Sequence, residues 1–353
     1  MSSNYSGRYE NPLGVGPRGF GGAGWNLGVE ALAGQTDLVT VFDDFNGVVP
    51  SETFGDAANW ETMGWVLTDV GVPVADLVGM QDAADVDQWY PSCIRLFAGT
   101  TDDTGGNMQL DRVNASLPAS SGAVDFPHLW IPETAAGTEI LDNTVWVFAC
   151  RIGLEASDAT AATNWDGGLF LGWAEAGDTS IMTAGTKVIT IASTGPLVGF
   201  HVNTNGQIDG ISHRTVGTAM AEGTNFTNIV GTGGVDGTTA NGAATAGDIM
   251  WFDLALRMNI TDMSSDTANG ATEFFWRRVP RITQRANTGG QLPGQGPAWA
   301  KHSVVLQNQT PNNDVALVPT IEFINGPTAG VDSVAYVDWW TFGCSRFSRL
   351  ARS

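Results

Sequence analysis

The sequence predicts an all-β chain folded as one antiparallel β-sandwich of roughly a dozen strands. Three observations predict it. Period-two alternation of apolar and polar residues dominates from residue 37 onward. Loops rich in Gly, Thr, Asn and Ala separate the alternating stretches. Helical periodicity is sparse: Asn26–Ala33 offers a turn or two, and a short helix within Pro73–Trp89 is confined by Gly71, Gly79 and Pro91.

The elements follow in chain order. Leu38–Phe45, Trp60–Thr68 and Ile94–Ala98 are the early strands. Thr144–Leu154 is one of the two clearest, with Trp146, Phe148, Cys150, Ile152 and Leu154 on one face and Val145, Val147, Ala149, Arg151 and Gly153 on the other. Leu169–Ala174, Val188–Ala192, Leu197–Val202 and Gln207–His213 come next. The last two flank Thr204-Asn205-Gly206, and Asn-Gly is the strongest short hairpin signal. A two-residue turn at Asn205-Gly206 would pair position 201 with 210. Residues 214–248 are low in complexity and poor in large apolar side chains, so they read as loop. Trp251–Ile260 is the other clear strand: Phe252, Leu254, Leu256, Met258 and Ile260 face one way, and Trp251, Asp253, Ala255, Arg257 and Asn259 the other. Thr272–Val279, Ser303–Leu306, Thr320–Ile324 and Val334–Phe342 complete the set.

The alternating region, 37–345, reads as a single sandwich domain between a glycine-rich arm, 1–36, and a basic tail, 346–353. Glycine loses the most entropy on ordering, and the arm has few apolar side chains to offset that loss. It is therefore expected to take shape against a surface, its own body or a neighbouring subunit, with Tyr5, Arg8, Tyr9, Arg18, Phe20 and Trp25 as its contact residues. In the tail, Arg346, Arg349 and Arg352 recur every three residues around Phe347 and Leu350. A helical turn would group these arginines to pair with carboxylates of an acidic neighbour. The plainer alternative is a solvated tail.

Composition narrows the partners. Hydrophobic residues make up 42%, enough for a core. The balance of 37 acidic to 16 basic residues gives a net charge of -21, and Lys187 and Lys301 are the only lysines. Such a body repels nucleic-acid phosphates and anionic membrane surfaces. Ser2, Ser3, Asn4 and Tyr5 after Met1 do not read as a signal peptide, and no run approaches a membrane span. Cys93, Cys150 and Cys344 are odd in number without CxxC spacing, which suits a reduced protein made in the cytoplasm.

Val41-Phe42-Asp43-Asp44-Phe45-Asn46 opens the strand-rich body, and Tyr336-Val337-Asp338-Trp339-Trp340-Thr341-Phe342 closes it. Between them lie Trp146–Ile152, Gly168–Glu175 and Val198–His201. This set resembles concanavalin/laminin-G-like jelly-roll sandwiches, and together the segments look like virion proteins of tailed phages, especially marine ones. The resemblance implies a non-enzymatic structural protein that decorates or cements the outside of a phage head. Its partners would then be the major capsid protein and copies of itself, as a homotrimer in the virion, assembled in the host cytoplasm. A carbohydrate-binding protein or a receptor-binding tail protein is the alternative. Glucanases of the same sandwich carry alternating carboxylates in an ExDxE pattern; Glu155-Ala156-Ser157-Asp158 has the wrong spacing and reads as a polar loop.

Other chemistry is thinly signalled. His128, His201, His213 and His302 form no HxH or HExxH and read as structural. GxSxG and P-loop patterns are missing, and Gly289–Gly296 is a loop. Calcium is the metal best suited to clustered loop carboxylates, with Asp82, Asp85 and Asp87 as one candidate set and Asp102, Asp103 and Asn107 as another. Neither has EF-hand spacing, and solvated acidic loops are the alternative; no other cofactor is indicated. Trp25, Trp89, Trp251 and Trp299 lie near polar loops or on the less apolar strand face, where they would stack on sugars, anchor an interface or simply pack.

Overall fold

A computed structural model describes residues 38–43, 65–70, 78–79, 94–97, 103–110, 144–155, 165, 167–178, 180–189, 195–204, 206–214, 222–224, 226–230, 249–262, 269–279, 300–309, 317–326 and 333–345. The strands are β1 Leu38–Asp43, β2 Trp65–Val70, β3 Val78–Gly79, β4 Ile94–Phe97, β5 Gly105–Leu110, β6 Thr144–Glu155, β7 Gly168–Glu175 and β8 Leu197–Val202. They continue with β9 Ile208–His213, β10 Phe226–Val230, β11 Ile249–Asp262, β12 Asn269–Val279, β13 Ala300–Lys301, β14 Leu306–Gln307, β15 Leu317–Ile324 and β16 Val334–Ser345.

These strands form two antiparallel sheets, as the alternation predicts. The nine-stranded sheet runs β13-β12-β11-β6-β16-β4-β3, with β1 also on β16 and β14 also on β12. The seven-stranded sheet runs β10-β9-β8-β7-β15-β5-β2. Trp146, Phe148, Cys150, Ile152 and Leu154 of β6 pack with Phe252, Leu254, Leu256, Met258 and Ile260 of β11 in the core between the sheets. Leu169, Leu171 and Trp173 of β7 and Phe200 of β8 meet them from the other sheet. Phe342 lies at the centre, its ring 4.8 Å from Phe148, 4.7 Å from Trp340 and 5.2 Å from Trp173. Burying large side chains of this kind contributes about 1.5–3 kcal/mol each.

β16 breaks its own alternation to reach this core. Ala335 and Val337 face inward at odd positions, Trp340 and Phe342 at even ones. A register shift between Val337 and Trp339 against β6 reconciles the two sets. One extra residue in one strand flips the facing of everything after it.

Several expectations are corrected. Val78–Gly79, inside the segment given to a helix, pairs with β4 as a strand. β10 lies inside the stretch 214–248, and β5 was not foreseen. Val188–Ala192 is no strand in its described part; Ile189 makes an isolated bridge to Met182. Ser303–Leu306 contributes only Leu306, to β14. The β8–β9 hairpin forms, but His201 pairs with Asp209, not with position 210. Asn203 N donates to Gln207 O, leaving three residues in the connection, and Gly206 takes φ +65° there. A three-residue hairpin ending in a left-handed residue needs that glycine. The arm, the tail and the helix expected at Asn26–Ala33 lie outside the described residues.

Candidate functional site

The outer face of the seven-stranded sheet gathers the most unusual chemistry among the described residues. Strand register sets Asn107, Glu322, Phe170, His201, Asp209 and Asn228 in one lateral row across β5, β15, β7, β8, β9 and β10. Their chain neighbours Met108, Ile321, Phe323, Leu169, Leu171, Phe200 and Ile208 face the core, so the row faces away from it.

The β7–β8 connection, 176–196, folds back over this row as a strap. Ile181, Met182 and Ile189 of the strap join Phe170, Ala174, Leu197, Ile211 and Ile324 in a second apolar cluster on the outer face. Polar bonds fasten it. Glu322 accepts from Ile181 N at 3.0 Å, Met182 N at 2.7 Å and Asn107 Nδ2 at 2.7 Å. His201 Nε2 lies 2.8 Å from Lys187 O, a bond in which the ring N–H donates. Lys187, wholly buried, pairs its ammonium with Asp103. Gly168 makes room for it: a Cβ there would lie 2.7 Å from Lys187 Cβ. Gln109 Nε2 donates to the carbonyls of Glu175 and Asp178 at the strap's root.

Burial dominates the electrostatics. It pushes Glu322 up to about 7, against the pull of its three hydrogen bonds and with a push from Asp178. Burial drives His201 down to about 4. Asp209 rises to about 6 by burial, despite its bond from Gln207, and Glu222 adds to the rise. Glu175 and Asp178 are both raised, again chiefly by burial.

On the outer face of the nine-stranded sheet, Asp253 lies between two arginines in cross-strand register. Arg151 donates from Nε at 2.6 Å and Nη2 at 3.1 Å, and Arg277 from Nε at 2.6 Å. Burial pushes the Asp253 carboxyl up, but the two guanidinium groups outweigh it and hold it below the usual range. Farther along, Glu273 lies 3.9 Å from Arg257 and pairs with Lys301.

The residues singled out from sequence fare unevenly. Asp82, Asp85, Asp87, Tyr5, Arg8, Tyr9, Arg18, Phe20, Trp25, Arg346, Arg349 and Arg352 lie outside the described residues, as do Trp89 and Trp299. Asp103 and Asn107 are not a loop cluster: Asn107 sits in β5 bonded to Glu322, and Asp103 pairs with Lys187. Trp251 is buried, its ring 6.0 Å from Tyr336, rather than open to a sugar. Glu155 ends β6 and accepts from Tyr336 Oη at 2.7 Å, so it is no part of a loop. Glu322 was missed, although a lone glutamate alternating with Thr320 and Ile324 was its signal.

No family model matches the chain, and no curated protein matches it. Among solved structures, a protein of unknown function from Shewanella oneidensis MR-1 aligns at 10% identity and TM-score 0.39, over 91% of this chain and 95% of that one. Arcelin-5, a lectin-like defense protein from Phaseolus vulgaris, aligns at 8% identity and TM-score 0.43, over 88% and 100%. The PL-14 alginate lyase from Aplysia kurodai aligns at 10% and 0.41, over 88% and 98%. Likeness at these TM-scores carries no argument about ligand or activity.

Proposed function

We propose that this chain is a non-enzymatic structural protein of a virion, a capsid-decoration protein that stiffens a phage head through contacts between subunits. The observation that carries the non-enzymatic part is the strap. Glu322 and His201, the acid and base best placed for chemistry on the exposed sheet face, are both spent on fastening the chain to itself. Asp253, the other wholly buried carboxylate in charge contact, is likewise spent on Arg151 and Arg277. A net charge of -21 favours partners that offer basic protein surface over nucleic acid. The arm and tail would supply the contacts, and a homotrimer is the assembly proposed.

A second reading, carbohydrate binding, draws on one feature: Asn107, Glu322, His201 and Asp209 form a row of hydrogen-bonding side chains of the kind that engage hydroxyls. A glycan array probed with the full chain separates the two. The structural reading expects no specific signal. A specific glycan signal that disappears in Glu322→Gln or Asp209→Asn would overturn it.

A further inference from the structure

The strap is held to the sheet by one buried acid and one buried base acting in opposite senses. Glu322 accepts hydrogen bonds from strap amides, and His201 donates one to a strap carbonyl. Neither tolerates charge in its dry setting. Closing the strap over a solvated sheet therefore loads a proton onto Glu322 and strips one from His201. The protonated acid has an acceptor close by. Asn107 Oδ1 is buried without a hydrogen-bond partner, and turning the amide over presents it to Glu322 Oε2, now 2.7 Å from Nδ2.

We propose that the 176–196 strap is a proton-compensated lid, whose closed state holds nearly constant strength from weakly acidic to weakly alkaline pH because Glu322 and His201 answer pH with opposite signs. With Glu322 at about 7 in the closed state, acidification toward its ordinary 4.5 favours closure. With His201 at about 4, acidification below its ordinary 6.5 favours opening. The two windows overlap and largely cancel.

Other charged groups pack around the pair. Asp178 and Glu175, at the strap's root, are raised and add to the Glu322 side. Asp209, beside His201 in register and next to Glu222, is raised as well. Lys187 and Asp103 form an ion pair at the strap's far end. Asn107 and Gln109 of β5 carry no charge. The carboxylates therefore tilt the wild-type balance slightly toward firmer closure in acid.

Removing either partner should unmask the other. Lys187 is the sole tryptic site between Arg151 and Arg214, so cleavage after it reports opening of the strap. Amide exchange at Ile181 and Met182, corrected for intrinsic rates, covers the acidic range. In the wild-type full chain, opening should vary by less than about fivefold between pH 4.5 and 8. In His201→Gln, opening should rise about tenfold from pH 6 to 8.5, as Glu322 alone responds. In Glu322→Gln, it should rise by about tenfold or more from pH 7 to 4.5, as His201 alone responds. Slopes of the same sign in both variants, or slopes equal to wild type, overturn the proposal. Should either variant fail to fold, NMR titration of the wild type decides. A His201 ring titrating below about 5 and a Glu322 carboxyl above about 6 support the lid. Ordinary values for both sink it.

Discussion

Replacing Asp253 with Ala should be among the costliest single changes in the described body. Asp253 is wholly buried, and the side chains of Arg151 and Arg277 that it binds are 20% and 10% exposed. Its removal strands two guanidinium groups beside each other on the face of a sheet. Breaking a buried ion pair from one side costs about 3–5 kcal/mol. In a chain of this size that is a fall in Tm on the order of 10 °C. Asp253→Asn keeps the shape and some hydrogen bonding, so about 2 kcal/mol is expected. Urea unfolding of both variants beside the wild type measures the cost. The pH dependence adds a second check. The folded Asp253 carboxyl lies below its ordinary 3.8, so its contribution is present above that value and is lost as pH falls through the lower folded one. The gap between wild type and Asp253→Asn should therefore hold at pH 7 and narrow below about pH 3.8. A double-mutant cycle with Arg277→Gln should show coupling above about 1 kcal/mol. A cost under about 1 kcal/mol at neutral pH, or a gap untouched by acid, would refute the charge-clasp account.

Three further outcomes follow from the geometry. Phe148→Ala, at the centre of the aromatic cluster, should cost about 3–5 kcal/mol in urea unfolding; under 1 kcal/mol would mean the cluster is not the core described. Gly168→Val should push Lys187 off its seat and speed tryptic cleavage after Lys187 while leaving unfolding nearly two-state; unchanged cleavage would show the strap does not rest on Gly168. The Cys150 thiol is buried and pushed up by burial, with Asp253 adding to the rise. Mass-mapped labelling at pH 8 should find it unreactive until the chain unfolds, and rapid native labelling would contradict its place in the core.

Much of the fold was legible because period two is a local signal. Phe148 and Leu254 declare their inward face within β6 and β11, and Arg151 and Asp253 occupy the opposite face of the same strands, so even the clasp could have been paired from sequence. The short strands were harder. β3 and β10 are held by their neighbours, and two to five residues do not establish a period. The hairpin register slipped by one because Asn-Gly fits both a two-residue turn and a three-residue one. The strap was invisible for a different reason. Ile181, Met182 and Ile189 look like scattered apolar residues in a loop, and only tertiary folding brings them onto the outer face. Glu322 acquires its character there too, since burial by a segment some 140 residues earlier in the chain (roughly, from Met182) is what raises it.

The account's central claim is that this chain works as an assembled structural element. Sedimentation velocity of the full chain, beside one lacking residues 1–36, tests it most directly. The claim predicts a species of three times the 37.2 kDa chain that falls apart when the arm is removed. A full chain that stays monomeric at every concentration, with sedimentation unchanged by loss of the arm, would contradict it.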